Sequence, residues 1–271
     1  MSLFKNYRWK LLWLLLPLAL GGFLLAWVYI ASQESERRTL PDLRQITDVQ
    51  ERKQMFIGFL LPAIEQRNQE IADQRALLLG LEAQYRQSES LNARETTQLS
   101  ELARRMRVDM QPEQASFWQT MQRRLDQLPP SLVLAQAANE SGWGTSRFAR
   151  EGNNFFGQWC FVEGCGIVPK RRPEGANHEV AAFDSPRQAI VSYFRNLNTH
   201  NAYSELRAMR EQARERGGML SGEALAEGLQ RYSERGEAYV EELREMIRYN
   251  DFERFDRHLD ASTASETLAA E

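Results

Sequence analysis

Cysteine and histidine are scarce in this chain of 271 residues, which has two of the first and three of the second. The histidines, His178, His200 and His258, are scattered and match no metal motif, so no metal is expected. There is no Walker loop and no dinucleotide fingerprint, and no cofactor is expected either. Ser141 lacks the glycine that a G-x-S-x-G nucleophile elbow places before its serine. Excess positive charge is missing too. Lys and Arg number 34 against 37 Asp and Glu, a formal net charge of -3. A dedicated nucleic-acid binder carries a basic domain, so nucleic acid is not an expected partner. No internal repeat of fixed period is visible.

Charge is also absent from one long run. From Leu11 to Ser32 the chain reads LLWLLLPLALGGFLLAWVYIAS. A bilayer core needs roughly 20 apolar residues in a helix, and this run supplies them. A secretory signal has a shorter apolar region and a small-x-small cleavage site, and Tyr29 stands where a small residue is wanted. The reading is an uncleaved anchor, with a removed signal peptide as its alternative. Lys5, Arg8 and Lys10 precede the span, and positive flanks stay in the cytoplasm. The expected location is therefore the inner membrane, single-pass, with the C-terminal bulk in the periplasm. In an exported domain Cys160 and Cys165 are expected to close a tight disulfide loop. A zinc site is the competing reading; it needs two further ligands, and only His178 is close in sequence.

The chain divides into an N-terminus with anchor (1–33), a linker and helical juxtamembrane arm (34–112), a catalytic domain (113–258) and a polar tail (259–271). Between about Thr47 and Val108, apolar residues recur at helical spacing: Phe56, Phe59, Leu60, Ala63, Ile64, then Ile71, Leu77, Leu78, Leu81. Pro62 and Gly80 are expected to kink or break this run into two or three helices. It serves either as an arm that positions the next domain or as further helical core. Beyond Asp109–Glu113, FWQTMQRRLDQL is an amphipathic helix stopped by Pro129 and Pro130. Ser131 is expected to cap a short, apolar and hence buried helix, LVLAQAANE, ended by Gly142 and Gly144. Residues 153–183 lose helical periodicity and read as loops with a small β-hairpin, its turn at Pro173–Asn177. Helices return at Pro186–Asn198, Tyr203–Arg216, Ser221–Tyr232 and Glu237–Arg248. The fold class is mainly α, or α+β, with a small β lobe.

Glu140 ends the buried helix. The C-terminal end of a helix is partially negative, and burial disfavours a carboxylate further. Both raise the pKa, and a carboxyl protonated near neutral pH is what acid catalysis of glycoside cleavage needs. From this pattern alone the other reading, a solvated glutamate at a helix end, is the more common one.

The stretch LPPSLVLAQAANESGWGTSRFA followed by NNFFG resembles the glucosaminidase domain of glycoside hydrolase family 73, in its Bax-like branch. Glu140–Gly144 is similar to that family's E-S-G-W-G signature, and Asn153–Gly157 to its N-N-L-F-G, with Phe155 in place of Leu. Phe183-Asp184-Ser185 and Asn201-Ala202-Tyr203 resemble two later blocks, in a register that departs from the pattern. The resemblance implies a lysozyme-like fold and cleavage of the β-1,4 bond after N-acetylglucosamine in bacterial cell-wall glycan. It implies Glu140 as general acid and Tyr203 as a residue lining the cut site. A second carboxylate is sought about forty residues later, where Glu179 is the first candidate and Glu174 the second; a substrate-assisted route needs neither. Trp143, Asn154, Phe156 and Trp159 are the further candidates for binding sugar, with core packing as the alternative for the aromatics. Lys170-Arg171-Arg172 is either a solvated loop, the commoner case, or a site that meets the carboxylates of peptide stems. Expected partners are peptidoglycan strands, the inner membrane and a regulatory envelope protein, with either that protein or the helical arm restraining the enzyme. The competing functions are a lytic transglycosylase and a non-catalytic glycan-binding scaffold.

Overall fold

A computed structural model describes residues 40–170, 172–257 and 259. The apolar run at 11–32, Arg171, His258 and residues 260–271 of the tail lie outside them, so the anchor, its orientation and the rest of the tail rest on sequence. Among the described residues no helix is long and apolar enough to cross a membrane.

Helix α1 (Val49–Ser88) is 40 residues long, about 60 Å at 1.5 Å per residue. Asp48 caps it by accepting from the Glu51 N–H at 2.8 Å. The chain does not break at Pro62 or Gly80. Pro62 offers no N–H to the Gly58 carbonyl, yet Phe56 and Leu60 before it and Ile64 and Ile71 after it are all fully buried. Each such side chain is worth about 1.5–3 kcal/mol on burial, so packing on both sides outweighs one lost helical bond. The break comes instead at Glu89, whose φ of +53° ends the helix. Helix α2 (Ala93–Met106) then starts from a reciprocal cap: Asn92 accepts from the Glu95 N–H at 3.0 Å and Glu95 from the Asn92 N–H at 2.8 Å.

Residues 49–106 share one core with the domain that follows. Polar ties add to the apolar ones. Asn68 donates to the Leu128 carbonyl at 2.8 Å and accepts from the Leu128 N–H at 3.0 Å. Arg75 donates to the carbonyls of Gln122 and Leu125. Of the two roles open to this segment, core is the one its contacts describe.

Helix α3 (Ala115–Arg124) leads to the central helix α4 (Pro130–Ser141), of which Leu132 to Ala138 are buried. Ser131 does not cap it. Pro130 occupies the first turn, and buried Ser131 bonds Asp256 through both its N–H (2.8 Å) and its hydroxyl (2.6 Å). Helices α5 (Arg147–Gly152), α6 (Pro186–Thr199), α7 (Ser204–Glu215), α8 (Gly222–Leu225) and α9 (Glu237–Tyr249) complete the helical body. Asp126, buried between α1 and α7, meets Arg210 (3.5 Å), Arg75 (3.9 Å) and Arg214 (2.9 Å). Burial pushes its carboxyl up, but the three guanidinium charges together hold it below the usual range.

The β lobe is a three-stranded sheet rather than a hairpin, in the order β1 (Trp159–Cys160), β3 (Glu179–Ala181), β2 (Gly166–Ile167), all antiparallel. Cys160 and Cys165 are joined in a disulfide that closes the loop between β1 and β2. Gly166 admits no side chain: a Cβ there would lie 2.1 Å from the Val180 carbonyl oxygen.

Candidate active site

Glu140 stands in the last turn of α4, half-buried, where Gly142 (φ +56°) turns the chain away. The turn is locked by Ser141, whose hydroxyl donates to the Ala137 carbonyl and accepts from the Gly144 N–H. The carboxyl opens into a cleft of about 570 Å³, walled in part by Phe156, Gly157, Trp159, Tyr203 and Tyr232. Its Oε1 accepts from the Tyr239 hydroxyl at 2.8 Å. Its Oε2 faces Gly157, where a Cβ would come within 3.4 Å. Burial raises the Glu140 pKa. The Tyr239 hydrogen bond and the charge of Arg235 oppose that rise, and the charge of Glu242 adds to it. The outcome is a carboxyl that holds its proton above the ordinary glutamate range.

Behind Glu140 runs a directional chain of hydrogen bonds. Tyr193 donates to the Gln136 side-chain oxygen, Gln136 donates to the Tyr239 oxygen at 2.9 Å, and Tyr239 donates to Glu140. Gln136 and Glu140 are one helical turn apart, so α4 presents both to the same side. The aromatic floor is continuous: Phe156 stacks on Tyr193 at 4.0 Å, Tyr232 stacks on Tyr239 at 5.7 Å, and Tyr203 leans on Tyr232. Tyr232 donates to the Phe156 carbonyl at 2.6 Å. Burial raises the pKa of Tyr203, Tyr232 and Tyr239, so these hydroxyls stay protonated.

The family profile described as Glucosaminidase: Mannosyl-glycoprotein endo-beta-N-acetylglucosaminidase matches residues 115–252. The chain belongs to the glucosaminidase family. It is also 34% identical over 213 residues to Protein bax of Escherichia coli (strain K12), across 78% of this chain and 74% of that protein. No solved structure matches.

Within this member of the family the expected site residues separate. Glu140, Phe156, Trp159 and Tyr203 converge on the cleft. Trp159 is 60% exposed, lies flat on His178 at 4.3 Å and forms part of the wall. Asn154 does not face the cleft. Its amide donates to the carbonyls of Gln158 and Ala181, and its oxygen accepts from the N–H groups of Phe156 and Gln158. With every site filled, it shapes the turn that sets Gly157 (φ +64°) opposite Glu140. Trp143 also points elsewhere. It packs edge-on against Phe56 at 5.6 Å and against Phe252 at 6.1 Å, under the Lys53 ammonium.

Neither proposed second carboxylate reaches the cleft. Glu179 is buried and accepts from the N–H groups of Gly164 (3.1 Å) and Gly166 (2.8 Å), bracing the disulfide loop. Glu174 sits exposed in a turn of the β lobe. Among the described residues lining the cleft, Glu140 is the one carboxylate. Arg172 donates to the His178 carbonyl and is not part of the wall. Sequence reasoning missed Tyr239, Gln136 and Tyr193, and also Arg107 and Arg195 on the rim. Gln136 alone carried a signal, as a polar residue one turn before Glu140 in an otherwise apolar helix.

Proposed function

We propose that the chain is an endo-β-N-acetylglucosaminidase that cleaves the β-1,4 bond after N-acetylglucosamine in peptidoglycan, with Glu140 as general acid. The observation that carries this is the division of labour on one carboxyl. Oε1 is taken by a donor, Tyr239, so the proton belongs on Oε2, the oxygen facing the cleft. A carboxyl kept protonated by burial delivers that proton to the glycosidic oxygen as its bond to C1 breaks.

One carboxylate in the cleft favours assistance by the substrate. The carbonyl oxygen of the 2-acetamido group closes on C1 as the leaving oxygen takes the Glu140 proton. Water then attacks C1 and displaces the acetamido oxygen, which takes back the bonding pair and restores the acetamido group. The water gives a proton to Glu140, and the reducing sugar is freed with its configuration retained. The apolar run at 11–32 and the disulfide support a periplasmic domain held at the inner membrane, since disulfides persist in oxidising compartments.

The test is digestion of purified peptidoglycan by the full chain in detergent, with and without Glu140→Gln, followed by mass spectrometry. Fragments ending in reducing N-acetylglucosamine from the wild type, and a rate at least about a hundredfold lower from the variant, support the reading. Anhydro-muramic products would move the chain to the lytic transglycosylases. An inverted product anomer would overturn the acetamido route and leave the role of Glu140 standing.

A further inference from the structure

The cleft holds two cations and a single acid. Arg107 and Arg195 line it with Glu140, and among the described residues neither guanidinium has a hydrogen bond or an ion pair. Arg75, Arg123, Arg210, Arg214, Arg244 and Arg248 are engaged with carboxylates, whereas among the described residues Arg94, Arg216 and Arg231 are exposed without such a partner. What sets Arg107 and Arg195 apart is that both face the cleft beside Glu140. Resting on the glycan-cleaving reading above, we propose that Arg107 and Arg195 recognise a carboxylate carried by the glycan strand beside the cut bond.

The backbone supports a purpose for Arg107. It closes α2 at φ +56°, a left-handed position that favours glycine over a residue with a side chain. Its carbonyl is clamped by Arg124, which donates to it at 2.6 Å and to the Met106 carbonyl at 2.9 Å. The same clamp sets a second positive charge nearby, so Arg107 lies on a locally basic rim in a chain of net charge -3.

A free guanidinium pairs with carboxylate through two parallel N–H···O bonds, which a neutral sugar does not offer. Wall glycan carries carboxylates in two places: on the lactyl ether of a peptide-free muramoyl residue, and along the attached peptide. Arg107 also lies ahead of the residues that match the family, which start at 115. The helices before the family domain thus complete its substrate wall as well as its core.

The test compares the wild-type full chain in detergent with Arg107→Gly, Arg195→Gln and the double variant. Glycine suits the backbone at 107, and Arg195 is exposed, so unchanged thermal melts are expected. The substrates are peptide-bearing strands, strands stripped by an amidase, and both sets again with their carboxylates amidated. On native strands each variant is expected to lose about tenfold in kcat/KM, chiefly through KM. The wild type on amidated strands is expected to lose as much as the double variant does on native ones, and the double variant to lose nothing more there. Loss confined to stripped strands identifies the lactyl carboxylate, and loss confined to peptide-bearing strands the peptide. Multiplying losses, or variants as fast as wild type, overturn the proposal while leaving the hydrolase reading intact. A wild type that cleaves no strand overturns both.

Discussion

Tyr239 donates its hydroxyl proton to Glu140 from 99 residues further along the chain, at 2.8 Å. That bond favours the charged carboxylate and so works against the burial that favours the acid. The site is therefore tuned by opposition, and Tyr239 sets where the balance falls.

Tyr239→Phe removes the opposing influence. The Glu140 pKa then rises further, and since the acid must be protonated to act, the alkaline limb of kcat/KM moves to higher pH. The variant also leaves the buried Gln136 amide without its acceptor, at a cost of about 1–3 kcal/mol of stability. A pH–rate profile on a soluble glycan fragment checks this. A limb that stays put, or moves to lower pH, would show that Tyr239 does not tune the acid.

Glu179→Gln separates a bracing role from a chemical one. The carboxylate accepts two backbone N–H groups, and a glutamine amide offers only one oxygen to them. The expected result is a loss of about 1–3 kcal/mol in denaturant unfolding, with kcat within about twofold of wild type. A kcat about a hundredfold lower in a folded variant would return Glu179 to the chemistry.

These two residues show why the site was partly legible. Glu140 could be found because its signature is local: a buried helix, its last turn and the glycines that end it are contiguous. The disulfide was local in the same sense. The position of Glu179 is not legible in the same way, because distance along the chain does not say which donors capture a carboxylate, and here the N–H groups of Gly164 and Gly166 hold it away from the cleft. Tyr239 lies on a helix that was foreseen almost to the residue, but periodicity gives the buried face and not the partner on it. Arg107 was hidden more deeply, in a segment that sequence set outside the catalytic domain. Pro62 misled for an energetic reason, since a propensity of a few kcal/mol was set against a face of fully buried side chains on either side of it.

The end of α4 opposite Glu140 offers a test of how the helix is held. Asp256 there accepts from the Ser131 N–H and hydroxyl and from the Gly222 N–H at 3.3 Å. Burial raises its pKa from 3.8 to about 6, against the pull of those hydrogen bonds. A carboxyl whose pKa is higher folded than unfolded binds its proton more tightly in the native state. Its contribution to stability is therefore full below about pH 4 and is lost as pH rises through about 6. At about 1.4 kcal/mol per pKa unit, the swing is at most about 3 kcal/mol. Other carboxylates obscure this in wild type alone. Asp126, held low by its arginines, changes stability in the opposite sense by losing it as pH falls. The informative quantity is the unfolding free energy of Asp256→Asn minus that of wild type, measured from pH 4.5 to 7. Asparagine does not titrate and keeps an acceptor for the Ser131 N–H, so the variant should gain on wild type up to about pH 6 and level off above it. A flat difference would mean that Asp256 titrates alike in the folded and unfolded chains, and a falling one that its hydrogen bonds outweigh its burial.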